Sequence, residues 1–351
     1  MKNQQWQWAA LVGAIMIVTV FLPGYRPLRA ETDSHGVQGK SHSRPAAFPV
    51  KVINYDASGK PVAYIYRKAP SRVVITHPGA TEILLELGLE GRIVSSVATY
   101  DAPLERLANK YARLNIMKAK FLPTREEMLA MGPDLIIGWA HHFNGNELGD
   151  VRVWQQRGIA TYIMPSSLQR ENPTLENTIY SCIADLGQIF GISEQTSGYI
   201  QDLKDRVAGI FQRVKDVPRK KTVIVLQYHG NGRFSVYGRN YLISNLVKLA
   251  GAENLEHGRI SFAGAEQILA FDPDFIIYVP LKQRVRDLSD SEAVAQLKGI
   301  KELRSIRAIR RGAIVNLPFF TVNNGGIRAV DTVEYLARKF YPERFGAKTI
   351  Q

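Results

Sequence analysis

The chain of 351 residues has one cysteine, Cys182, so it forms no internal disulfide and carries no CxxC metal or redox motif. Zinc-finger and disulfide-scaffold architectures are excluded, and stability must come from core burial. The glycine-rich stretches at 230–232 and 325–326 lack both GKS/T and a GxGxxG after a strand, so no nucleotide fingerprint is visible. A GxSxG elbow and HxH or HExxH spacings are also missing. Catalysis is unsupported, and the expectation is a protein that is not an enzyme. Long apolar runs are absent too. Ala9–Leu22 has fourteen uncharged residues, against the roughly 20 that a membrane span needs. It follows Lys2 and ends at Pro23-Gly24 in the manner of a secretory signal, with Ala30 at the cleavage point and Leu28 larger than the usual pattern. Residues 1–30 are expected to be a signal peptide, an uncleaved N-terminal anchor being the alternative. No cysteine follows the run, which excludes bacterial lipid attachment.

What is present is apolar material for two ordinary domains, at 45% hydrophobic residues. The formal charge is +13. Losing residues 1–30 removes Lys2, Arg26 and Arg29 and no acid, which leaves +10. The cations are scattered and form no arm or stripe, so no nucleic-acid partner is expected. Arg304, Arg307, Arg310 and Arg311, at helical spacing, read as a solvated face. Residues 31–48 are polar and read as a flexible spacer.

The patterned chain opens with a hairpin, Val50–Asn54 and Val62–Tyr66 around Asp56-Ala57-Ser58-Gly59. Strands at Val73–Thr76, Ile93–Ser96, Asp134–Gly138 and Thr161–Met164 then alternate with helices at Ala80–Leu87, Arg125–Met131 and Val151–Arg157. Leu175–Phe190 reads as a helix stopped by Gly191, and Ser193 as the cap of a second, longer one reaching about Val214. Its apolar face is read as Tyr199, Leu203, Val207, Ile210–Phe211 and Val214. The alternation resumes with strands at Thr222–Gln227, Phe234–Tyr237, Asp274–Val279 and Ala313–Asn316 and helices near Tyr241–Ala250, Glu266–Phe271, Ser291–Leu297 and Ile327–Phe340. The pattern predicts an α/β chain of two Rossmann-like lobes with parallel sheets, joined by a single long helix, with a cleft between them. The expected bounds are 49–192 for the N-terminal lobe, 193–216 for the connecting helix and 217–351 for the C-terminal lobe.

An internal repeat supports two lobes of like topology. Glu126–Ile137 and Glu266–Ile277 align at a constant offset of 140 and share seven of twelve residues. Each copy reads as helix, Pro-Asp turn and buried strand, and Glu126 and Glu266 fall at equivalent spots.

The order of these pieces resembles the periplasmic substrate-binding proteins of ABC importers for iron–siderophore complexes, haem and cobalamin. The resemblance is carried by the hairpin around Asp56–Lys60, by Pro70–Ile75 followed by Gly79-Ala80-Thr81-Glu82, and by Gly132–Ile137. It continues through Tyr237–Leu255, Glu266–Ala270 and the closing Asp331–Pro342 helix, covering about residues 50–345. It implies a monomer that hands a small-molecule metal complex to a permease of the cytoplasmic membrane, with no intrinsic cofactor. It also implies that Glu126 and Glu266, at the lobe tips, meet arginines of the permease. The bland alternative is solvated acids favouring the helix dipole, and Glu82 is read in that way.

The ligand is expected at the loops leaving the carboxyl ends of the strands. These carry His77, Tyr100, Phe121, Trp139, His141 and His142 in the first lobe. In the second they carry Tyr228, His229, Tyr237, Arg239, Arg259, Phe262, Phe319 and Phe320. Flat rings suit a macrocycle or catecholate, and arginine suits an anionic chelate. Five of the seven histidines, His77, His141, His142, His229 and His257, fall in loops, and His229 beside Tyr228 is the candidate metal ligand; a bound chelate needs no protein ligand at all. Cys182 is read as an inert core thiol. The expected function is capture and delivery, in the periplasm, of a ferric siderophore or haem. A corrinoid binder is the alternative within the family, and a periplasmic metal-dependent enzyme or chelatase the alternative from another class.

Overall fold

The computed structural model describes residues 48–99, 102–118, 122–168, 171–258, 262–280, 289–323 and 326–346. The expected signal peptide, nearly all of the spacer, Tyr100, Phe121 and Arg259 lie outside the described residues.

The hairpin forms as expected, β1 (Val50–Tyr55) against β2 (Pro61–Tyr66), antiparallel with Val50 opposite Tyr66. The Asp56 carboxylate closes its turn by accepting from the Ser58 and Lys60 N–H groups at 2.9 and 3.0 Å. Buried Asn54 fastens the hairpin to the body. Its amide donates to Ile163 O at 3.0 Å and its oxygen accepts from Ile163 N–H at 2.7 Å, replacing strand pairing with a side chain.

Two sheets follow. The first holds β3 (Val73–Ile75), β4 (Ile93–Ser96), β5 (Leu135–Gly138) and β6 (Ala160–Ile163), all parallel in the order β4-β3-β5-β6. Its helices include α1 (Pro78–Glu86), a single turn α2 (Ala108–Tyr111), α3 (Arg125–Ala130) and α4 (Val151–Gln156). A π-helical turn, Glu176–Tyr180, runs into α5 (Ser181–Phe190), so the expected single helix there is of two kinds. The long helix α6 spans Ser193–Val214, 22 residues. Ser193 is its first residue and not its cap; Ile192 occupies that position and no side chain caps it. The buried face is Thr196, Leu203, Val207, Ile210 and Val214, whereas Phe211 is exposed.

The second sheet contains β7 (Thr222–Tyr228), β8 (Arg233–Val236), β9 (Glu253–Asn254), β10 (Phe262–Gly264), β11 (Phe275–Tyr278) and β12 (Ile314–Asn316). Its order is β10-β8-β7-β11-β12, with β9 also on β7. The strands β7, β9, β11 and β12 are parallel, and β8 runs antiparallel to its neighbours β7 and β10, so this sheet is mixed where a parallel one was expected. The associated helices are α7 (Leu242–Leu249), α8 (Ala265–Phe271), α9 (Asp290–Gly299), α10 (Arg307–Arg311), α11 (Phe319–Asn323) and α12 (Arg328–Phe340). The two- and three-residue strands β9 and β10 and the five-residue α11 are too short to show a period, and pattern reading misses them.

The repeat is structural. Asp134, before β5, accepts from Ser71 N–H and Oγ at 2.8 and 2.9 Å; Asp274, before β11, accepts from Thr222 N–H and Oγ1 at 3.0 and 3.2 Å. The turn residues Gly132 and Asp272, 140 apart, both take positive φ, at 58° and 32°. Each carboxylate thus ties the start of one central strand to its parallel neighbour.

Strand alternation divides the core. Val73, Ile75, Leu135, Ile137 and Tyr162 of the first sheet, and Val223, Val225, Ile277 and Val315 of the second, enter one inner cluster. That cluster also takes the buried faces of α5, α6, α7 and α12. Val74, Ile136 and Ile163 point to an outer cluster with Met128 and Trp154; Ile224, Leu226, Ile276 and Ile314 point to another with Leu297 and Ile309. The expected junction of a single helix is therefore broader, a shared core with α6 packed on α5 and α12. All described residues fall in one compact unit.

Asp274 carries a testable charge. Burial works against its carboxylate, but hydrogen bonds from Arg219 and Thr222 and the guanidinium charge outweigh it and hold the carboxyl at about 2. The folded-state pKa lies below the unfolded value, so this stability is present above roughly pH 4 and is lost as pH falls towards 2. Because Arg219 is exposed and screened, Asp274→Asn is expected to cost only about 1 kcal/mol near neutral pH. Urea unfolding at neutral and acid pH checks this, the difference between variant and parent shrinking in acid.

Candidate functional site

Parallel strands end at a common edge, and the chemistry-bearing loops gather there. In the first sheet Ile75 pairs with Ile137. Two residues beyond each, His77 and Trp139 stack at 4.3 Å between ring centroids and 18° between planes. His77 is fully buried, is the N-cap of α1, and its Nδ1 accepts from Gly79 N–H at 3.2 Å. Phe320 of α11 also meets the imidazole, tilted by 36° at 5.4 Å between centroids. The stack thus joins a loop of the first sheet to an element that follows the second.

Trp139 opens a 3-10 turn, Ala140–Phe143, that presents two imidazoles differently. His142 is buried: its Nδ1 lies 2.9 Å from Thr76 Oγ1 and accepts from the Trp139 N–H at 3.2 Å. Gly138 makes this possible, since a Cβ there would collide with Thr76 Oγ1 and lie 3.1 Å from His142 Nδ1. His141 is exposed, edge-on to Trp139 at 5.4 Å. The Trp139 indole Nε1 is buried and has no acceptor among the described residues. Burial, reinforced by the neighbouring imidazoles, holds His77 well below the usual histidine range. Burial and His141 push His142 down to about 3, and burial lowers His141, with Glu147 opposing. All three are neutral at physiological pH; in His77 and His142 the Nδ1 accepts from a backbone N–H, so the ring proton sits on Nε2.

The second sheet supplies two groups. Phe319 and Tyr237 approach at 5.9 Å, and Tyr237 meets Tyr241 edge-on at 4.8 Å. Tyr237 is buried and donates to Gln227 Oε1 at 3.0 Å, whereas Phe319 is exposed. Because Phe319 and Phe320 are consecutive, this group continues the Trp139–His77–Phe320 stack. Farther along, exposed Phe262 on the edge strand β10 has the Arg233 guanidinium at 5.8 Å and the His229 ring at 6.2 Å. His229 is exposed, with Nε2 2.7 Å from Ser235 Oγ. Tyr228 is half-buried on Phe234, and Arg239 is exposed in the turn between β8 and α7. The structure therefore gathers His77, Trp139, His141, His142, Phe319, Phe320 and Tyr237 into one chain of rings. Tyr228, His229 and Phe262 form a second set on the β7–β8–β10 side. Among the described residues, no three His, Cys, Asp or Glu side chains are arranged to hold a metal ion. Cys182 is buried in α5, and burial first, then Asp185, pushes its thiol up to about 12, which keeps it unreactive.

Glu126 and Glu266 are both exposed, in the first turns of α3 and α8. The next residue in each case serves the cap. Glu127 accepts from Thr124 N–H at 2.7 Å and Gln267 from Gly264 N–H at 3.1 Å. Neither Glu126 nor Glu266 pairs with a cation among the described residues.

Glu82, read from sequence as a helix-start acid, is instead buried in the middle of α1 and bonded by Arg328, Nε to its two oxygens at 2.8 and 3.0 Å. The available signal was its setting: an acid just before Ile83-Leu84-Leu85, in a helix buried nearly all round, needs a cation.

The periplasmic binding protein family matches residues 73–320 of this chain. The chain belongs to that family. Along almost its whole length, 98% of this chain and 99% of the relative, it is 22% identical to an uncharacterized ABC transporter substrate-binding lipoprotein of Bacillus subtilis, YvrC. A periplasmic binding protein from Veillonella parvula has the same fold, with a TM-score of 0.74 at 22% identity over 84% of this chain and 99% of that one. A structure described as an ABC-type Fe3+-hydroxamate transport system, from Saccharomonospora viridis, aligns at 0.64 with 19% identity, covering 86% and 100%. The periplasmic heme-binding protein RhuT of Roseiflexus aligns at 0.61 with 20% identity, covering 78% and 99%. Each is named as a binding or transport protein. This family member is a periplasmic substrate-binding protein of the ABC-transporter kind.

The buried imidazole beneath Trp139 gives a direct check of the geometry. His142 is expected to keep the NMR ring shifts of a neutral imidazole down to at least about pH 5, the normal midpoint of 6.5 being displaced to about 3. Its folded-state pKa is depressed, so its contribution to stability is complete above roughly pH 6.5 and declines as pH falls. A midpoint near the usual value would mean that the ring is solvated.

Proposed function

We propose that this binding protein captures an anionic metal chelate, a ferric siderophore or haem, and delivers it to its permease. The observation that carries the reading is the chain of rings, Trp139, His77, Phe320, Phe319 and Tyr237, at the carboxyl edge of the strands. Flat apolar faces flanked by neutral imidazoles, together with exposed Arg239 in the turn between β8 and α7, suit a planar, negatively charged ligand. The contact set is exposed His141, His229, Arg239, Phe262 and Phe319 with half-buried Trp139 and Tyr228; buried His142, Tyr237 and Phe320 hold them in place. In this reading His229 is the candidate metal ligand, through Nδ1, since its Nε2 faces Ser235 Oγ at 2.7 Å. Names of two similar folds, for Fe3+-hydroxamate transport and for haem binding, agree with this substrate class. In this reading, residues 49–192 and 217–351 act as lobes about the 193–216 helix, and the cargo sits between them.

Tryptophan-fluorescence titration with ferric siderophores, haem and cobalamin, beside a metal assay of the purified protein, tests it. Saturable quenching by an iron chelate or haem at micromolar or tighter Kd, about −8 kcal/mol or better, is expected. Quenching by cobalamin alone would make it a corrinoid carrier. Stoichiometric bound metal with no response to any ligand would favour a metal-dependent enzyme or chelatase. Trp139→Ala is expected to weaken cargo binding at least roughly tenfold, about 1.4 kcal/mol, because a stacked ring face is lost. Unchanged affinity would remove Trp139 from the cleft.

Delivery rests on Glu126 and Glu266. With the helix caps served by Glu127 and Gln267, these two carboxylates remain open to an outside cation, one on each lobe. Such charges fix orientation and encounter rate more than affinity. Glu126→Ala with Glu266→Ala is expected to leave cargo affinity intact and to weaken retention on membranes containing the importer. Equal loss of both would place these residues elsewhere than at the docking tips.

A further inference from the structure

Behind the ring floor lies a contact that no binding role requires. Glu82 of α1 is 1% exposed, and Arg328, the first residue of α12, grips both of its carboxylate oxygens. The same guanidinium donates from Nη2 to Ala102 O at 2.8 Å. The partners are 246 residues apart in the chain, α1 covering the first sheet and α12 packing on α6 and α7 beside the second. Around the pair the two halves meet closely. A Cβ on Gly326, whose φ is +47°, would come within 3.3 Å of Gly79 Cα, so backbone lies nearly on backbone. On the outer side Arg106 pairs with Glu86, one turn along α1 from Glu82, and reaches Asp331, one turn along α12 from Arg328, at 3.6 Å. Arg206 of the long helix holds Asp331 at 2.7 Å. Charges on α1, α12 and α6 thus form one ladder with its innermost rung buried.

We propose that Glu82 and Arg328 are a positioning pair that sets the width of the cargo cleft. The inference rests on the lobe-and-cleft reading above. Glu82 stands five residues after His77 on α1, about 7.5 Å along a helix axis. Arg328 stands eight residues after Phe320, the ring that closes on His77. A forked, desolvated Arg–carboxylate contact tolerates little displacement, because both N–H···O bonds are lost together when the helices slide. It therefore fixes where Phe320 and Phe319 stand relative to His77 and Trp139, whether or not cargo is bound. Stability alone is a poor reason for such a pair, since buried ion pairs often add little over well-packed apolar side chains. Geometric specificity is what it supplies.

The test needs no cargo. Spin labels at Gln156→Cys on α4 and Ala295→Cys on α9, both exposed and on the outer helices, report the separation of the halves by pulsed electron resonance; Cys182 is buried and inert. Glu82→Gln alone strands a buried guanidinium and is at risk of misfolding, so the decisive variant replaces both partners, Glu82→Met with Arg328→Met. This double variant is expected to keep its thermal midpoint and to show a distance distribution roughly twofold wider than the parent's. A distribution as narrow as the parent's overturns the proposal, whether or not the midpoint falls. Haem titration of the same proteins separates the two readings. Faster haem release from the double variant, with binding retained by the parent, supports both. A parent that ignores haem and every chelate sinks the cargo reading and leaves the distance result to judge the pair.

Discussion

Parallel strands have no hairpin to set their register, so something else must, and in this molecule a carboxylate does it twice. Asp134 and Asp274 sit one residue before the central strands β5 and β11 and bind the backbone N–H and hydroxyl at the start of the neighbouring strand system. In the first sheet this places Val73, Val74 and Ile75 opposite Leu135, Ile136 and Ile137. Because the strands start together they end together, and His77 and Trp139 leave the sheet at the same level. Their 4.3 Å stack is a consequence of register. A slip of one residue would send every core side chain to the opposite face and separate the two rings.

The electrostatics follow the same economy. Burial keeps the imidazoles beneath the site uncharged, so the floor offers ring faces and no imidazolium charge. The ionised groups nearby, Glu82 and Arg328, neutralise each other one layer down. An anionic chelate on such a floor would meet its attraction from arginines at the rim, where solvent moderates the cost of desolvation.

Much of the architecture was legible because it obeys a period. Alternating strands, the amphipathic helices and the 140-residue repeat each repeat a pattern that burial enforces over several residues. The repeat even identified the paired turns, since Pro-Asp before an apolar strand has the same hydrogen-bonding task in both copies. What escaped has no period. Phe319 and Phe320 read as loop residues because α11 is five residues long, and the sequence cannot say that one of two adjacent rings is buried on His77 while the other faces out. Phe262 belongs to a three-residue edge strand whose pairing depends on β8. The partner of Glu82 lies 246 residues away, and only the closed fold brings it near. The site is thus legible as a set of loops and illegible as a set of contacts.

Two sheets that share an inner core and a buried ion pair cannot hinge as freely as lobes joined only by strands. In the proposed lobe-and-cleft reading, closing the cleft would shear the packed faces of α5, α6 and α12 against one another, and close-packed interiors deform little. Affinity then has to come from surfaces already in place, because little further burial is gained by closure. A preorganised cleft loses less conformational freedom on binding, which favours tight capture of a rigid cargo. It also limits how far the body can signal occupancy by changing shape. Under the docking role proposed above, the exposed carboxylates at 126 and 266 would then keep a nearly constant separation, and a permease with matching cations would read that fixed span.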